Sequence, residues 1–335
     1  MKHNNFFCKF SLLGFLLYSS LFAQISEPFK VINPIQYQIA EEDTTSVVIE
    51  TNSSLIDYFV ISNDLNLSRR IDVDSNRSHY CEVIYLELGD NKIYIDGFKD
   101  GVLVKNKVQK VFHTSSAYKE YKYPPNKYDF NYFHNESKEK VCATCHNMSV
   151  NEVKGYAFED VTKSNCYQCH SHIAEKDHGH APAVNWLCTS CHNGEVGKFN
   201  RFEKGKTRFN VPDPIGTVCF NCHKKTKENW EKKLFQHEPV ENGSCDRCHS
   251  SHSSKRASYL KKPVWDLCHT CHKIDGSHVI KTLFGKKHPT KGVKDPSRPG
   301  KELDCMSCHY SHASDNVSLL KGKSNFIMCI KCHKK

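Results

Sequence analysis

The sequence is constrained above all by one motif, Cys-x-x-Cys-His, which occurs eight times after residue 141. The chain has 335 residues and 18 cysteines, and the eight motifs contain all sixteen cysteines that follow residue 117. Ordinary side-chain packing does not require this spacing. The motifs lie at Cys142-Cys145-His146, Cys166-Cys169-His170, Cys188-Cys191-His192, Cys219-Cys222-His223, Cys245-Cys248-His249, Cys268-Cys271-His272, Cys305-Cys308-His309 and Cys329-Cys332-His333.

The spacing of the motif suits the covalent attachment of haem c. Two thiols three positions apart can add to the two vinyl groups of one porphyrin, and the adjacent His can then ligate the iron. A zinc site, a redox dithiol or a disulfide framework also uses paired cysteines, but none of these requires His after every second Cys. The sequence therefore predicts eight covalently attached haems with the motif histidines as proximal ligands.

Haem would also supply a core for this part of the chain. Residues 118–335 show little continuous apolar periodicity, and such a stretch could not fold on side-chain burial alone. The apolar faces of the haems would replace an ordinary core. We therefore expect the apoprotein to be largely unfolded in this region, because cofactor binding is coupled to folding.

Ten further histidines follow residue 117, and eight of them stand in register with the motifs. A leading His precedes the first Cys of a motif by eight residues in three cases and by seventeen in a fourth. Other histidines follow a motif His by two, three or six residues. The pattern indicates four units of two haems each. The eight candidates for the second axial position are His134, His172, His180, His237, His252, His278, His288 and His312.

The remaining candidate ligands fit this register less well. His178 lies two residues before His180, and the eight-residue spacing favours His180. His269 lies inside a motif and is expected at the surface. Spacing does not indicate which distal His serves which haem. All-His ligation would keep the haem potentials low, since His/Met ligation raises them. Methionine is scarce, and the further ligand candidates of this type are Met148, Met306 and Met328.

Residues 134–335 resemble the doubled-CxxCH multihaem cytochrome c family. The similarity rests on the His-x7-Cys-x2-Cys-His register and on Cys-x-x-Cys-His-x-x-His at residues 245–252 and 305–312. It implies bis-His haems in a closely stacked chain, held by short helices and loops, that conducts electrons. The first and second units depart from the pattern, with Asn147-Met148-Ser149 and Asn193-Gly194-Glu195 in place of x-x-His.

The N-terminus has the organisation of a secretory signal peptide. Lys2 and Lys9 are basic, residues 10–22 form an apolar run, and Leu21-Phe22-Ala23 precedes Gln24. The run is short for a membrane span, and a retained anchor is the alternative. We expect cleavage after residue 23 and a periplasmic or extracellular location, in agreement with covalent haem attachment, which occurs outside the cytoplasm.

The charge of the chain is unevenly distributed. The formal net charge is +10, with 9 Lys and Arg against 14 Asp and Glu in residues 24–117 and 36 against 23 in residues 118–335. Haem propionates would offset this excess, so the lysines are interpreted as counter-ions and solvated surface, and no nucleic-acid partner is expected. The expected partners are redox protein donors and acceptors. A membrane-associated or outer-surface complex and self-assembly stay open.

Residues 24–117 have β character, and Leu86 to Ile95 resembles the strand-turn-strand of bacterial immunoglobulin-like domains. The pattern predicts an all-β, immunoglobulin-like sandwich, with turns at Gly89-Asp90-Asn91 and Asp96-Gly97. Cys81 is expected as a small core residue, with a reactive thiol as the alternative. The runs rich in β-branched and aromatic residues are 46–50, 70–74, 82–88, 92–96 and 102–112.

The predicted organisation is a signal peptide at 1–23, a β-sandwich at 24–117, a linker at 118–133 and an octahaem domain at 134–335. The expected function is electron transfer by bis-His, low-potential haems, as a respiratory or extracellular conduit. The alternative is a multihaem oxidoreductase of the nitrite, hydroxylamine or tetrathionate type with one open haem. Several such enzymes use Cys-x-x-Cys-Lys, which does not occur in this sequence. The β domain is either a docking module or a passive stabilising domain.

Overall fold

The computed structural model describes residues 27–65, 67–153, 156–195, 208–279 and 285–333. The predicted signal peptide therefore lies outside the described residues. None of the helices in these ranges is long and apolar enough to cross a membrane. The chain divides into two compact units. The first contains the described residues up to Tyr37 together with 44–86 and 90–111, and the second contains 38–43, 87–89 and 112 onwards.

The N-terminal part of the chain consists mostly of β-strands, as the sequence predicts. The strands are β1 Phe29–Asn33, β2 Gln38–Ala40, β3 Thr44–Thr51, β4 Tyr58–Asn63, β5 Ser68–Asp72, β6 His79–Tyr85, β7 Gly89–Lys99 and β8 Val102–His113. In the first unit, one sheet has the strand order β1-β3-β6, and a second contains the order β5-β4-β7-β8. The observed β1–β3, β3–β6, β4–β5 and β4–β7 pairs are antiparallel.

Alternation along the strands gives the first unit its core. In β4 every second residue is buried, which is the period-2 pattern of a strand with one covered face. Phe29 of β1 and Phe59 of β4 meet edge to face with ring centroids 5.3 Å apart, so the two sheets pack against each other. Burying one such side chain stabilises the fold by about 1.5–3 kcal/mol. The side chains with relative exposure of 1% or less include Phe29, Val47, Ile49, Ile56, Phe59, Ile61, Ile93, Ile95 and Val111.

Strand β7 runs through both predicted turns, so that prediction is wrong. Gly97 serves close packing instead, since a Cβ there would lie 2.8 Å from Ile56 Cδ1 and 3.0 Å from Phe29 Cε1. The chain reverses at Asp100 (φ 50°) and Gly101 (φ 76°), between β7 and β8. Two successive left-handed residues are what a tight β-hairpin turn requires, and an Asp-Gly pair supplies them.

Cys81 also differs from its predicted position. It lies on β6 and is exposed, whereas Tyr80 and Ile84 of the same strand are buried. Alternation along the strand therefore turns Cys81 away from the core, because residues one position apart face opposite sides of a sheet. The expectation of a small core residue is wrong.

Residues 112–133 belong to the second unit and contact parts of it that are distant in the sequence. Strand β9, Asp129–Phe130, pairs in parallel with β2. The Lys262 ammonium lies 3.1 Å from the Tyr118 ring centroid, and Thr270 donates its hydroxyl to the Ala117 carbonyl at 3.0 Å. A 3₁₀ helix spans Lys119–Tyr121.

The rest of the second unit consists of short helices, very short strands and loops, as predicted. The strands are β10 His178–Gly179, β11 Phe235–Gln236, β12 Ser253–Ser254 and β13 Ala313–Ser314. Further 3₁₀ helices span Val161–Lys163, Ser171–Ala174, Cys188–Ser190, Cys245–Arg247, Ala257–Tyr259, Gly276–His278 and Val317–Leu319. The α-helices are α1 Glu136–Cys142, α2 Tyr167–His170, α3 Ala181–Val184, α4 Gly216–Cys222, α5 Lys224–Glu231, α6 Glu238–Glu241, α7 Val264–His269, α8 Cys305–Cys308 and α9 Asn325–Cys332.

The short strands join one repeat to the next. Strand β10 pairs with β12, and β11 pairs with β13, both antiparallel. Beside these pairs, His180 donates its backbone N–H to the His252 carbonyl, and His237 donates to the His312 carbonyl, both at 2.8 Å. The same local structure therefore occurs twice. It connects the second two-haem unit of the predicted repeat to the third, and the third two-haem unit to the fourth.

Candidate haem sites

Each Cys-x-x-Cys-His motif forms one helical turn. In all eight, the backbone N–H of the motif His donates to the carbonyl of the first Cys at 2.8–3.1 Å. This is the i to i−4 bond of an α-helix. Residues three and four positions apart share one face of such a turn, so both thiols and the imidazole project to the same side. All sixteen motif cysteines are described, and none forms a disulfide.

The motif histidines meet other histidines in pairs. Seven of them have a second His ring 5.9–6.4 Å away between centroids, and each second ring is a different predicted distal His. Two imidazoles that ligate one metal at about 2 Å place their centroids roughly 6 Å apart. The pairs are His134–His170, His180–His223, His192–His252, His237–His272, His249–His312, His278–His309 and His288–His333.

The pairing follows the repeat in a crossed pattern. The leading His of each unit meets the second motif of the same unit, as His180 meets His223. The trailing His of the third unit, His252, meets the first motif His of the second unit, His192. His312 of the fourth unit meets His249 of the third in the same way. The second two-haem unit, which begins at His180, departs from the x-x-His pattern, yet both of its motif histidines have a His neighbour.

The first motif is arranged differently. Among the described residues, which include every His after residue 26, His146 has no His ring at this spacing. Its Nδ1 lies 3.1 Å from the Gln168 side-chain oxygen. His172, a predicted distal ligand, lies 6.5 Å from His170, which already has His134 at 6.1 Å. The Nδ1 of His172 is buried without a hydrogen-bond partner.

Two histidines left unassigned by the register lie outside the pairs. His178 is exposed on β10, which agrees with the preference for His180. His269 faces carbonyl oxygens with both ring nitrogens, Trp265 O at 2.9 Å and Ile274 O at 2.7 Å. Its ring also stacks on Trp265 with centroids 3.6 Å apart. With both ring nitrogens engaged, His269 is not arranged to ligate a metal.

Backbone carbonyls fix the orientation of half of the fourteen paired rings. A carbonyl oxygen faces the Nδ1 atom of seven of these histidines. Because a carbonyl only accepts hydrogen bonds, Nδ1 must carry the proton, and Nε2 then presents its lone pair to a metal. Second-sphere partners of this kind hold metal-binding imidazoles in place. The seven are His180, His192, His237, His249, His278, His288 and His309.

Two other paired histidines face carboxylates. His134 Nδ1 lies 3.1 Å from Glu139 Oε1, and His252 Nδ1 lies 3.2 Å from Glu42 Oε1. The second contact is poorly aligned, since the buried His252 Nδ1 has no well-directed hydrogen bond. Burial opposes ionisation of Glu42, but His252, Lys261 and Lys176 outweigh it and lower the Glu42 pKa to about 2. Burial would lower the pKa of His252, but the Glu42 carboxylate raises it.

Burial keeps other paired imidazoles neutral. It lowers the pKa of His170 and of His312 to about 4, with a further contribution from the neighbouring imidazoles. A metal ligand has to be the neutral imidazole, because the protonated ring has no lone pair to donate. The rings are therefore in the required state near neutral pH.

The motifs come together in the order of the chain. The first cysteines of the second and third motifs, of the fourth and fifth, and of the sixth and seventh lie close enough to shift each other's pKa. The second cysteines of the third and fourth motifs, the fifth and sixth, and the seventh and eighth interact electrostatically. Cys142 of the first motif interacts with Cys169 of the second in the same way. Every motif thus adjoins the next.

Sequence reasoning missed the two carboxylates. Glu139 lies in the first turn of α1, five residues after His134, and this spacing could have suggested it. Glu42 lies between β2 and β3, far from His252 in the sequence, so no local signal pointed to it.

Within the described part of the chain, no cluster of three or more His, Cys, Asp or Glu side chains could hold a metal ion.

Comparisons with known proteins match the haem-motif region. Residues 237–276 and 298–335 match the family described as doubled CXXCH motif. The multiheme cytochrome MtrA of Shewanella baltica (strain OS185) is 27% identical over 164 residues, which cover 47% of this chain and 45% of that protein. The aligned chain thus spans less than half the length of this relative.

One solved structure gives only a weak match. A crystal structure of an FMN-binding beta-glucuronidase from Facaelibacterium prausnitzii L2-6 is 12% identical, with a TM-score of 0.20. The match covers 31% of this chain and 13% of that chain, and so low a score carries no argument about the fold. The motifs, the paired rings and the sequence matches agree with one another. Together they support a doubled-CxxCH multihaem cytochrome with covalently bound haem c.

Proposed function

We propose that the chain is an electron carrier that binds eight haem c groups, one at each Cys-x-x-Cys-His motif. Seven of the irons would be held by the His pairs described above, with the motif His as proximal ligand and its partner as distal ligand. The motif cysteines, the motif histidines and seven of the eight predicted distal histidines would take these roles, whereas His172 lies beside His170, which already has His134 as its partner. The low potentials expected of bis-His ligation belong to the same proposal.

The one-to-one pairing of His rings carries this proposal. Seven motif histidines each have a separate predicted partner at a spacing that suits two ligands of one metal. The pairing crosses between units, as at His192–His252, so local chain geometry alone does not produce it. The donor set of two thiols and two imidazoles fits haem c.

The protein would contribute attachment, orientation and shielding. Each helical turn directs two thiols and an imidazole to one side, and the carbonyls on Nδ1 prevent the rings from rotating. When bound, haem supplies an iron that gains and loses one electron. Two fixed imidazoles per iron would leave the coordination unchanged on reduction, so electrons could move with little rearrangement of the protein.

The contacts between neighbouring motifs support a single path along the chain. Because each motif adjoins the next, from Cys142 and Cys169 to Cys308 and Cys332, the haems would form a line in sequence order. Electrons would enter at one end and leave at the other. Redox proteins that dock near the first and last motifs would be the partners.

A second candidate function is an oxidoreductase with one open haem. The observation that favours it is His146, which has no His ring at ligand spacing in the described ranges. A haem attached at Cys142 and Cys145 with one vacant axial position could bind a small ligand. A catalytic site would also need acid–base groups beside that iron.

The remaining assignments complete the proposal. We place the protein in the periplasm or outside the cell, because the N-terminus predicts a cleaved signal peptide and haem c is attached outside the cytoplasm. Residues 24–117 would form an immunoglobulin-like domain that docks the cytochrome to a partner or a surface, with 118–133 leading into the octahaem domain at 134–335.

Counting the haems tests the proposal. The purified, secreted protein should carry eight haems per chain by intact mass and by pyridine haemochrome absorbance, and all should be reduced and reoxidised reversibly. Carbon monoxide added to the reduced protein separates the two candidate functions. No stoichiometric binding would exclude the open haem that the second candidate needs, one molecule bound per chain would support it, and two or more would contradict the His pairs of the carrier proposal. A count below eight would contradict the octahaem assignment.

A further inference from the structure

The paired histidines differ in what faces their Nδ1 atoms. Seven have a backbone carbonyl at this position, and Ser311 Oγ lies 3.3 Å from His312 Nδ1. His134 and His252 have a carboxylate there instead. A carboxylate carries a full negative charge and accepts more strongly than a carbonyl. These two rings are therefore held in a different electronic environment from the others.

We propose that Glu42 and Glu139 are positioning residues that lower the reduction potentials of two adjacent haems, acting through His252 and His134. The inference rests on the proposed function, in which His192–His252 and His134–His170 are the ligand pairs of those haems. It adds a division of the haem chain into two regions of different potential.

The physical reason is the effect of a carboxylate on an imidazole ligand. An acceptor at Nδ1 draws the N–H proton towards itself and makes Nε2 a stronger base and a better electron donor. A more strongly donating ligand favours ferric over ferrous iron, so the reduction potential of the haem falls. The negative charge of the carboxylate acts in the same direction, because it opposes the addition of an electron.

Glu139 is held firmly in place for this role. Its side chain is 11% exposed. Arg208 Nε lies 3.1 Å from Glu139 Oε1, and Arg208 Nη2 lies 2.9 Å from Glu139 Oε2. Asn135 caps α1 by accepting from the Lys138 N–H, which fixes the turn that carries Glu139. The carboxylate is thus aimed at His134, although Arg208 offsets part of its charge.

Glu42 reaches its histidine from a different part of the sequence. It lies between β2 and β3 in a segment, residues 38–43, that belongs to the second unit together with His252. The neighbouring Asp43 forms an ion pair with Lys176 at 2.7 Å, which anchors this segment. The Glu42 side chain is 50% exposed, whereas the His252 side chain is 22% exposed, so solvent screens part of the carboxylate charge.

The two affected haems would be neighbours. The second motif, which contains His170, adjoins the third, which contains His192, because the Cys166 and Cys188 side chains are neighbours. Two adjacent haems of lowered potential would be the last to accept electrons. At partial reduction, electrons would therefore collect on the remaining haems, at the first motif and at the fourth to eighth motifs.

A redox titration of the full-length holoprotein tests the proposal. Glu42→Gln and Glu139→Gln keep the size of the side chain and remove its charge. Each should shift one of the eight components of a spectroelectrochemical titration to higher potential. The same variant should alter the electron paramagnetic resonance (EPR) g-values of one low-spin haem, because the donor strength of its ligand has changed. Glu42→Asp, which retains a carboxylate, should shift its component less than Glu42→Gln does.

Matched controls separate the contact with histidine from the loss of charge alone. Asp177→Asn removes one charge from an exposed side chain of the second unit, and Glu136→Gln removes one from the 91% exposed side chain on α1. Both should leave the titration close to wild type. The proposal is overturned if the two Gln variants titrate like wild type, or if the controls shift the curve equally.

Haem count and spin state distinguish this failure from failure of the proposed function. If every variant keeps eight low-spin haems and no component moves, the roles of Glu42 and Glu139 are wrong and the carrier proposal stands. If the wild type lacks the His-ligated haems at His170 and His192, the proposed function itself fails. Should Glu139→Gln lose haem, the Glu42 series decides the question.

Discussion

The two units of the molecule bury apolar surface in different ways. Of the twenty buried apolar residues among those described, twelve lie in the first unit and eight in the much longer second unit. The first unit packs two sheets around side chains such as Phe29, Phe59 and Ile95. In the second unit, the buried apolar residues after residue 118 are Tyr128, Trp186, Val218 and Ala313.

This difference shows what the second unit lacks without its cofactor. Its described helices have at most eight residues, as in α5 and α9, and isolated helices of that length are marginal in water. The helical turns at the motifs place the ligands but bury little apolar surface. The first unit has a core of its own, whereas the second would obtain its core from the apolar faces of bound haem.

Preventing haem attachment should have the largest effect, because it should unfold the second unit and leave the first unit folded. Replacing every motif Cys by Ser should leave residues 118–333 without a core, because the macrocycles no longer bury apolar surface. Limited proteolysis should then cut many sites after residue 118 and spare residues 27–111. Rapid hydrogen exchange should be confined to the same region. Protection of the second unit in this variant, equal to that of the holoprotein, would contradict the comparison.

A substitution in the first unit tests whether side-chain packing alone stabilises its core. Phe59→Ala removes a fully buried ring that contacts Phe29 and Tyr80, and it should cost about 3–5 kcal/mol of unfolding free energy. Denaturant unfolding followed by far-UV circular dichroism measures this. The control, Val102→Ala, removes methyl groups from a side chain that is 63% exposed and should change stability by about 0.5 kcal/mol or less.

Removing one distal ligand should have a local effect. His312→Ala takes away the ring 6.1 Å from His249, so one haem of the eight should become high-spin, and added imidazole should restore its low-spin spectrum. Visible and EPR spectra of the oxidised protein measure the change. His178→Ala is the matched control, because His178 is exposed and unpaired with a motif His. A spectrum of the His312 variant identical to wild type would exclude this pair.

The smallest expected effect is the acid response of the first unit. A hydrogen bond from Lys99 at 2.6 Å holds the pKa of Asp57 below its usual range. Because the folded-state pKa is depressed, this stabilisation is present above the unfolded pKa and is lost as pH falls through the folded pKa. Asp57→Asn should flatten the acid limb of stability against pH. Asp72→Asn, at an exposed pair with Arg70, should leave it unchanged.

Sequence predicted the chemistry of the second unit better than the strand details of the first. The Cys-x-x-Cys-His motif fixes the spacing of two thiols and one imidazole, because all three must bond to the same haem. The eight-residue register favoured His180 as a ligand over the exposed His178. In the first unit, Gly97 resembled a turn residue but permits close approach to Ile56 and Phe29. Local composition could not distinguish these uses of glycine, because sheet packing decides between them.

The ligand pairing could not be derived from the sequence for a related reason. His252 meets His192, and His312 meets His249, across the boundaries of the repeat. Spacing along the chain identifies candidates but contains no information on which turns come together in space. The β10–β12 and β11–β13 pairs supply that information. The contact between Glu42 and His252 could not be predicted for the same reason, because the two residues are far apart in the sequence.

The central claim is that seven motif histidines share an iron with a second His. Quantitative EPR of the oxidised, fully loaded protein tests it most directly, because bis-His ferric haem is low-spin and a haem with one axial His is high-spin. The account predicts that at least seven of the eight haems per chain are low-spin, with any high-spin signal amounting to one haem at the first motif. High-spin signals from two or more haems in intact protein would contradict it.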